Sequence, residues 1–227
     1  IRLVFDAKTA YNGVSLNSQI RDTPNRLNDM LLILHEWRKY EFAITGDISE
    51  MFLRIRIHEA DQKYFRFTFN GKHYQWDRTI FGATHAPDAS QKVLATVRET
   101  HADTHPMAAE ALKNNNYMDD LLKSSPFEKE LIQLAAELQE VLADIDMSIA
   151  KFYSNSEATL KTIAPEKIAK EVKFEDKETI FDANKVLGMI WDAQSDMITY
   201  KCKFKDTQGW LDHIGVTDWT KRSVLST

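Results

Sequence analysis

The chain has 227 residues, 43% of them hydrophobic and 28% charged, with a formal net charge of −5; this is ordinary globular composition with ample core material for one or two domains. No apolar run approaches the ~20 residues of a membrane span, no signal-peptide pattern opens the chain, and the single Cys202 excludes an intrachain disulfide framework or an all-cysteine zinc site, as suits a reducing compartment. The acidity argues against a simple basic nucleic-acid binder, but it is uneven: residues 1–100 hold 14 Lys+Arg against 12 Asp+Glu, and the remainder holds 15 against 22.

In chain order, Ile1 to Phe5 reads as a strand, and the abrupt beginning and end read as those of a piece of something longer. Thr23-Pro24 predicts a helix start, with Leu27, Met30, Leu31, Leu34 and Trp37 on one stripe. Phe42 to Thr45 is a short buried strand delivering Gly46-Asp47 at its end. Leu53, Ile55 and Ile57 alternate with Arg54, Arg56 and His58, the period of a strand with one buried face. Phe65, Phe67 and Phe69 repeat that alternation, Asn70-Gly71 predicts a primed two-residue turn, and Lys72 to Trp76 returns. Residues 87–100 read as a helix with Val93, Leu94 and Val97 inward.

Asn114 to Asn116 is a polar lead-in to a hairpin carrying Tyr117-Met118-Asp119-Asp120. Ser125-Pro126-Phe127-Glu128 predicts a capping box, followed by a helix whose inward face is Phe127, Leu131, Leu134, Leu138, Val141 and Ile145. Residues 156–180 are charged and weakly periodic, and Val186 to Trp191 with Met197 to Phe204 read as a final hairpin. The order of strands and helices is α+β, with helices on one face of an antiparallel sheet.

Adjacent carboxylates at a turn repel each other unless a cation neutralises them, so Asp119-Asp120 suggests a divalent metal site, with a solvated turn as the competing reading. Asp47 ends a buried strand, a rigid place for a metal ligand; capping a following helical turn, with Glu50 completing a capping box, is its rival. Three carboxylates from two neighbouring strands suit two-metal phosphoryl transfer. Asp47 and Asp119 would bridge the ions, Asp120 would complete the site, and the Ile48 carbonyl is a further candidate ligand.

Asp47-x-x-x-x-Phe52, Phe81-Gly82-Ala83-Thr84-His85-Ala86-Pro87, Tyr117-Met118-Asp119-Asp120 and Leu187-Gly188 occur in the order found in reverse transcriptases. The Arg2-to-Ala7 opening, Asn12-Gly13-Val14-Ser15-Leu16-Asn17 and the closing Thr220-to-Ser226 segment resemble the BEL/Pao class of LTR retrotransposons. The resemblance implies a right-hand polymerase palm with partial fingers: 1–41 partial fingers, 42–58 the first catalytic strand of the palm, 59–86 a fingers/palm hairpin region, 87–180 palm with the Asp-Asp hairpin, and 181–227 a primer-grip-like hairpin and the start of thumb or connection. It implies two Mg²⁺ ions, with Mn²⁺ as a substitute, and as partners an RNA template, a DNA primer/template duplex and deoxynucleoside triphosphates. Protease, RNase H and integrase domains of a pol polyprotein would accompany it, with no membrane partner and an intracellular location in the cytoplasm, a virus-like particle or the nucleus.

By the same resemblance, Arg2, Lys8, Phe52, Phe81, Gly82 and Gln91 serve the incoming nucleotide, Phe52 stacking under the sugar and excluding a 2′-hydroxyl. Lys151 protonates the departing pyrophosphate. Tyr117, Met118, Leu187, Gly188 and Met189 contact primer and template. A catalytically inactive, retroelement-derived nucleic-acid-binding or structural remnant is the second reading, favoured by the net acidity. A two-metal nuclease is the third, disfavoured because it needs neither Phe52 nor the glycine segment as a nucleotide cradle.

Overall fold

The computed structural model describes residues 5–174, 179–181 and 184–199. Its elements are α1 (Leu16–Gln19), α2 (Met30–Trp37), β1 (Phe42–Ile48), α3 (Met51–Arg54), α4 (Glu59–Gln62), β2 (Arg66–Phe69), β3 (Lys72–Gln75), α5 (Ala86–Thr100), α6 (Pro106–Asn114), β4 (Asn116–Tyr117), β5 (Asp120–Ser125), α7 (Glu128–Ala143), β6 (Ile149–Ser154) and α8 (Glu157–Lys161). A 3₁₀ turn at Pro165–Lys167 then leads to β7 (Val172–Phe174), β8 (Thr179–Phe181), β9 (Asn184–Val186), β10 (Met189–Asp192) and β11 (Met197–Thr199).

The central sheet has the order β4-β5-β1-β6 and is antiparallel throughout. Ile44, Ile48, Leu121, Leu122, Ile149, Phe152 and Tyr153 form its buried apolar surface. Helix α7 covers it because Leu131, Leu134, Leu138 and Val141 recur at helical spacing and are all within 1% of full burial; each such side chain contributes roughly 1.5–3 kcal/mol. The fold is therefore α+β, as the order of elements implies. The sheet β9-β10-β11 docks beside it through Trp191, whose ring lies 4.7 Å from that of Trp37 and 5.1 Å from that of Tyr153. Hairpin β2–β3 turns at Asn70 (φ 49°) and Gly71 (φ 73°), the two positive angles of the primed turn its sequence predicts. Among the described residues no helix is long and apolar enough to cross a membrane.

Several elements differ from the expectation. The helix expected from Thr23 begins only at Met30, where Asp29 accepts from the N–H groups of Leu31 and Leu32. A real cap outweighs the Thr-Pro signal, and the buried stripe becomes Ile33 and Trp37 while Leu31 is exposed. The alternation at Leu53–Ile57 is not a strand: residues 51–54 form one helical turn and Arg56 makes an isolated bridge to Arg78. The capping box at Ser125 is absent. Ser125 ends β5, its hydroxyl accepts from the N–H of Phe127, and Glu128 instead takes the Ser156 hydroxyl at 2.7 Å; Phe127 consequently faces solvent. Val186 to Trp191 is itself a hairpin, folded at Leu187 (φ 46°) and Gly188 (φ 82°), so β9, β10 and β11 form a meander. The expectations for residues 1–4 of the opening strand, Arg2 among them, for residues 200–204 of the last strand with Cys202, and for the Thr220-to-Ser226 segment lie outside the described residues.

Candidate active site

In the register of β1 and β5, Asp47 is the direct cross-strand partner of Asp120. Cross-strand partners present their side chains on the same face of a sheet. The N–H of Ile48 donates to the carbonyl of Asp119 at 2.7 Å, drawing the β4–β5 turn against the end of β1. Asp47 is no helix cap: α3 starts after Glu50, which has φ 53° and makes no side-chain cap bond. On the other flank the ladder between β1 and β6 slips between Thr45 and Asp47, and Lys151 lies in the slip with φ 52°. A bulge of this kind re-aims a side chain. Here it directs the Lys151 ammonium onto the Asp47 carboxylate.

The electrostatics follow from that geometry. Burial raises the carboxyl of Asp119, with repulsion from Asp47 adding to it and Lys151 opposing. Burial raises Asp120 to about 6, reinforced by Asp119 and then Asp47. The hydrogen bond to Asp47 raises Lys151. The three carboxylates thus feel one another, and a lysine cation takes up part of their charge. That donor set fits hard divalent cations in type and charge. In the present arrangement, with Lys151 on Asp47, no group of three His, Cys, Asp or Glu side chains among the described residues is posed to hold a metal ion.

A cleft of about 970 Å³ opens beside these groups, lined by Asp47, Asp119, Lys151, Phe52 and Phe81 among others. The rings of Phe52 and Phe81 meet edge to face at 5.1 Å. Gly82 follows with φ 92°, and a Cβ there would stand 3.0 Å from the carbonyl oxygen of Phe5, so the close approach needs glycine. The loop is clasped by Asn17, whose amide donates to the Gly82 carbonyl at 2.9 Å and accepts from the Thr84 N–H at 3.0 Å.

The other predicted residues lie elsewhere. Lys8 is exposed and is not among the residues lining the cleft. Gln91 is buried on α5 and donates to Asn116 at 3.3 Å instead of facing the cleft. Tyr117 is half-buried and packs on the core, Met118 makes the turn with φ 56°, and Met189 is buried in the β9-β10-β11 sheet. The residues the sequence reading missed are Asn17, Asn28 and Asn116. Asn28 donates to the carbonyls of Lys113 and Asn116 at 2.8 and 2.9 Å. Asn116 is 1% exposed and fully engaged, so this end of the polar lead-in is tied into the hairpin by hydrogen bonds. A run of asparagines in front of paired acids carries a signal only once burial is known.

An antiparallel sheet bearing acidic residues on two neighbouring strands, beside a cleft floored by aromatic rings, defines a polymerase palm. Residues 12–152 match the family described as reverse transcriptase (RNA-dependent DNA polymerase), and the chain belongs to that family. Among solved structures, the foamy viral protease–reverse transcriptase dRH in complex with double-stranded DNA has a TM-score of 0.59 at 16% identity, covering 99% of this chain and 32% of that one. The foamy viral enzyme in complex with an RNA/DNA hybrid has a TM-score of 0.55 at 15% identity, covering 93% and 24%. The native prototype foamy virus protein has a TM-score of 0.54 at 18% identity, covering 91% and 22%. The shared feature is the fold, and the chain spans about a third of the foamy viral chain or less. No curated protein matches the chain.

Proposed function

We propose that the chain is the palm and partial fingers of a BEL/Pao-type LTR retrotransposon reverse transcriptase, adding deoxynucleotides to a primer 3′-end on an RNA or DNA template. The observation that carries this reading is the pairing of Asp47 with Asp120 across β1 and β5, with Asp119 beside them at the cleft. The proposed division is fingers in 1–41, palm from 42 with a fingers/palm hairpin at 59–86, and a grip-like hairpin from 181. Protease, RNase H and integrase units of a pol polyprotein are its proposed companions.

Asp47, Asp119, Asp120 and the Ile48 carbonyl would hold two Mg²⁺ or Mn²⁺ ions, which when bound supply a lowered pKa for the primer hydroxyl and charge neutralisation for the triphosphate and pyrophosphate. The protein's own groups do the rest. Phe52, fixed by Phe81, forms a floor for the sugar and leaves no room for a 2′-hydroxyl. The backbone at Gly82 lets the base pair lie close to the loop. Lys151, kept protonated by Asp47, is suited to pass a proton to the departing pyrophosphate oxygen. Leu187 and Gly188 at the β9–β10 turn would hold the primer terminus, with Met189 buried beneath them.

Primer extension on an RNA template by the parent polypeptide, wild type beside Asp119→Asn, tests the reading. Loss of at least about 100-fold is expected for removal of a metal carboxylate, by comparison with the loss of one preorganised charge-stabilising group. Equal extension by both proteins would overturn it. Salt-dependent binding of primer–template without any extension would favour the inactive binding module.

A further inference from the structure

The turn carrying Asp119 and Asp120 is held on one flank by the six-position ladder of β5 with β1 and on the other by a short one. β4 and β5 pair at Asn116 with Leu121 and at Tyr117 with Asp120, one further backbone bond runs from the Leu122 N–H to the Asn115 carbonyl at 2.9 Å, and Met118 sits in the left-handed region at φ 56°, an unfavourable conformation for a residue with a Cβ. The Asn116 side chain reinforces this shorter flank. Its amide nitrogen donates to the carbonyl of Met118 at 2.9 Å and, more weakly, to that of Asp120 at 3.4 Å. These two carbonyls flank Asp119 on either side. Its amide oxygen accepts from Gln91 at 3.3 Å, and Gln91 projects from the buried face of α5.

We infer that Asn116 is a positioning residue: its amide braces the backbone on both sides of Asp119 and, through Gln91, ties the acidic turn to α5. This rests on the polymerase reading above, adds Asn116 to it and gives Gln91 a different part. Helix α5 begins at Ala86, directly after the Phe81–Thr84 loop at the cleft, so one rigid element joins the loop to the carboxylates. Gln91 therefore acts at a distance from the nucleotide, through Asn116. An apolar residue of similar size at position 116 would keep the packing and lose all three hydrogen bonds.

The test uses the 227-residue chain with Asn116→Leu and Gln91→Leu. Three quantities are read: Mn²⁺ affinity by electron paramagnetic resonance, amide-exchange protection at Met118–Asp120, and the thermal midpoint. Removing a group that orients a metal ligand commonly costs about 10- to 100-fold in metal affinity, and that range is expected for Asn116→Leu, with faster exchange in the turn. Gln91→Leu, which leaves Asn116 in place, should lose a few-fold, and the double variant should resemble Asn116→Leu alone because the two residues share one network. Unchanged Mn²⁺ affinity and unchanged protection in folded Asn116→Leu would overturn the inference, whatever the thermal midpoint does. Should Asn116→Leu not fold, wild-type affinity and protection in Gln91→Leu would overturn it equally. A wild-type chain that takes up no Mn²⁺ at millimolar concentration counts against the metal reading instead; the exchange data then decide the brace alone.

Discussion

Replacing Asp120 with Asn should make the protein more stable at neutral pH and change nothing in acid. The Asp120 carboxyl is held at about 6 against an ordinary value of 3.8, chiefly by burial and then by Asp119 and Asp47. Between those two values the unfolded chain gives up the proton while the native state keeps it, so stability falls as pH rises through that window. Above it both states are ionised and the full penalty stands; below 3.8 it vanishes. A displacement of this size corresponds to about 3 kcal/mol, and solvent screening at a half-buried group reduces this to about 1–2 kcal/mol. For a chain of this length each kcal/mol moves the midpoint by about 2–4 °C, so Asp120→Asn should melt roughly 2–8 °C higher at pH 7 and level with wild type at pH 3.5. Added Mg²⁺ should narrow the gap by raising wild type. Thermal unfolding followed by circular dichroism at both pH values reads this directly. An Asn variant that melts no higher than wild type at pH 7 would refute the electrostatic account of the acidic turn.

Phe52→Val should open the floor of the cleft; primer extension with ribonucleotides is expected to improve at least about 10-fold relative to deoxynucleotides, since a lost steric contact of 1–3 kcal/mol is worth that much. Gly46→Ala would put a Cβ 2.8 Å from Ile149 Cδ1 and 2.9 Å from its Cγ1, and Ile149 is fully buried; a loss of about 1–3 kcal/mol is expected in urea unfolding, partly recovered by Ile149→Val. Lys151→Met should bind Mn²⁺ a few-fold more tightly, because the exposed ammonium no longer competes for Asp47, while the pH 7 stability drops by less than about 1 kcal/mol.

The palm was legible in the sequence where short-range pattern and long-range burial agree. The α7 stripe, the Asn70-Gly71 turn and the acid pair at a hairpin tip all follow from local spacing. Asp47 was legible as a strand-end carboxylate because the four residues before Gly46 are uncharged and mostly apolar. What failed was decided by distant partners. Leu53 to Ile57 alternates like a strand, but among the described residues its one strand-like pairing is the Arg56–Arg78 bridge. Ser125 and Glu128 have the spacing of a capping box, but Ser156 takes the carboxylate. Nothing local tells that Asn116 is buried, because the residues that satisfy it include Gln91, 25 positions earlier. Lys151 was named from resemblance alone; the bulge that aims it depends on a register slip that no single strand encodes.

Asn28 bears on the outer boundary of the sheet. β4 is the edge strand, only two residues long, and one edge carbonyl, that of Asn116, is met by the Asn28 side chain, which also takes the carbonyl of Lys113. A primary amide thus stands where the backbone of a fifth strand would otherwise begin. An unpaired edge invites pairing with another chain, and here the invitation is withdrawn by a residue in the loop before α2. Deleting that amide should leave the acidic hairpin intact in the monomer while making its rim adhesive to other copies, a fault that would show as self-association at high concentration before any loss of fold.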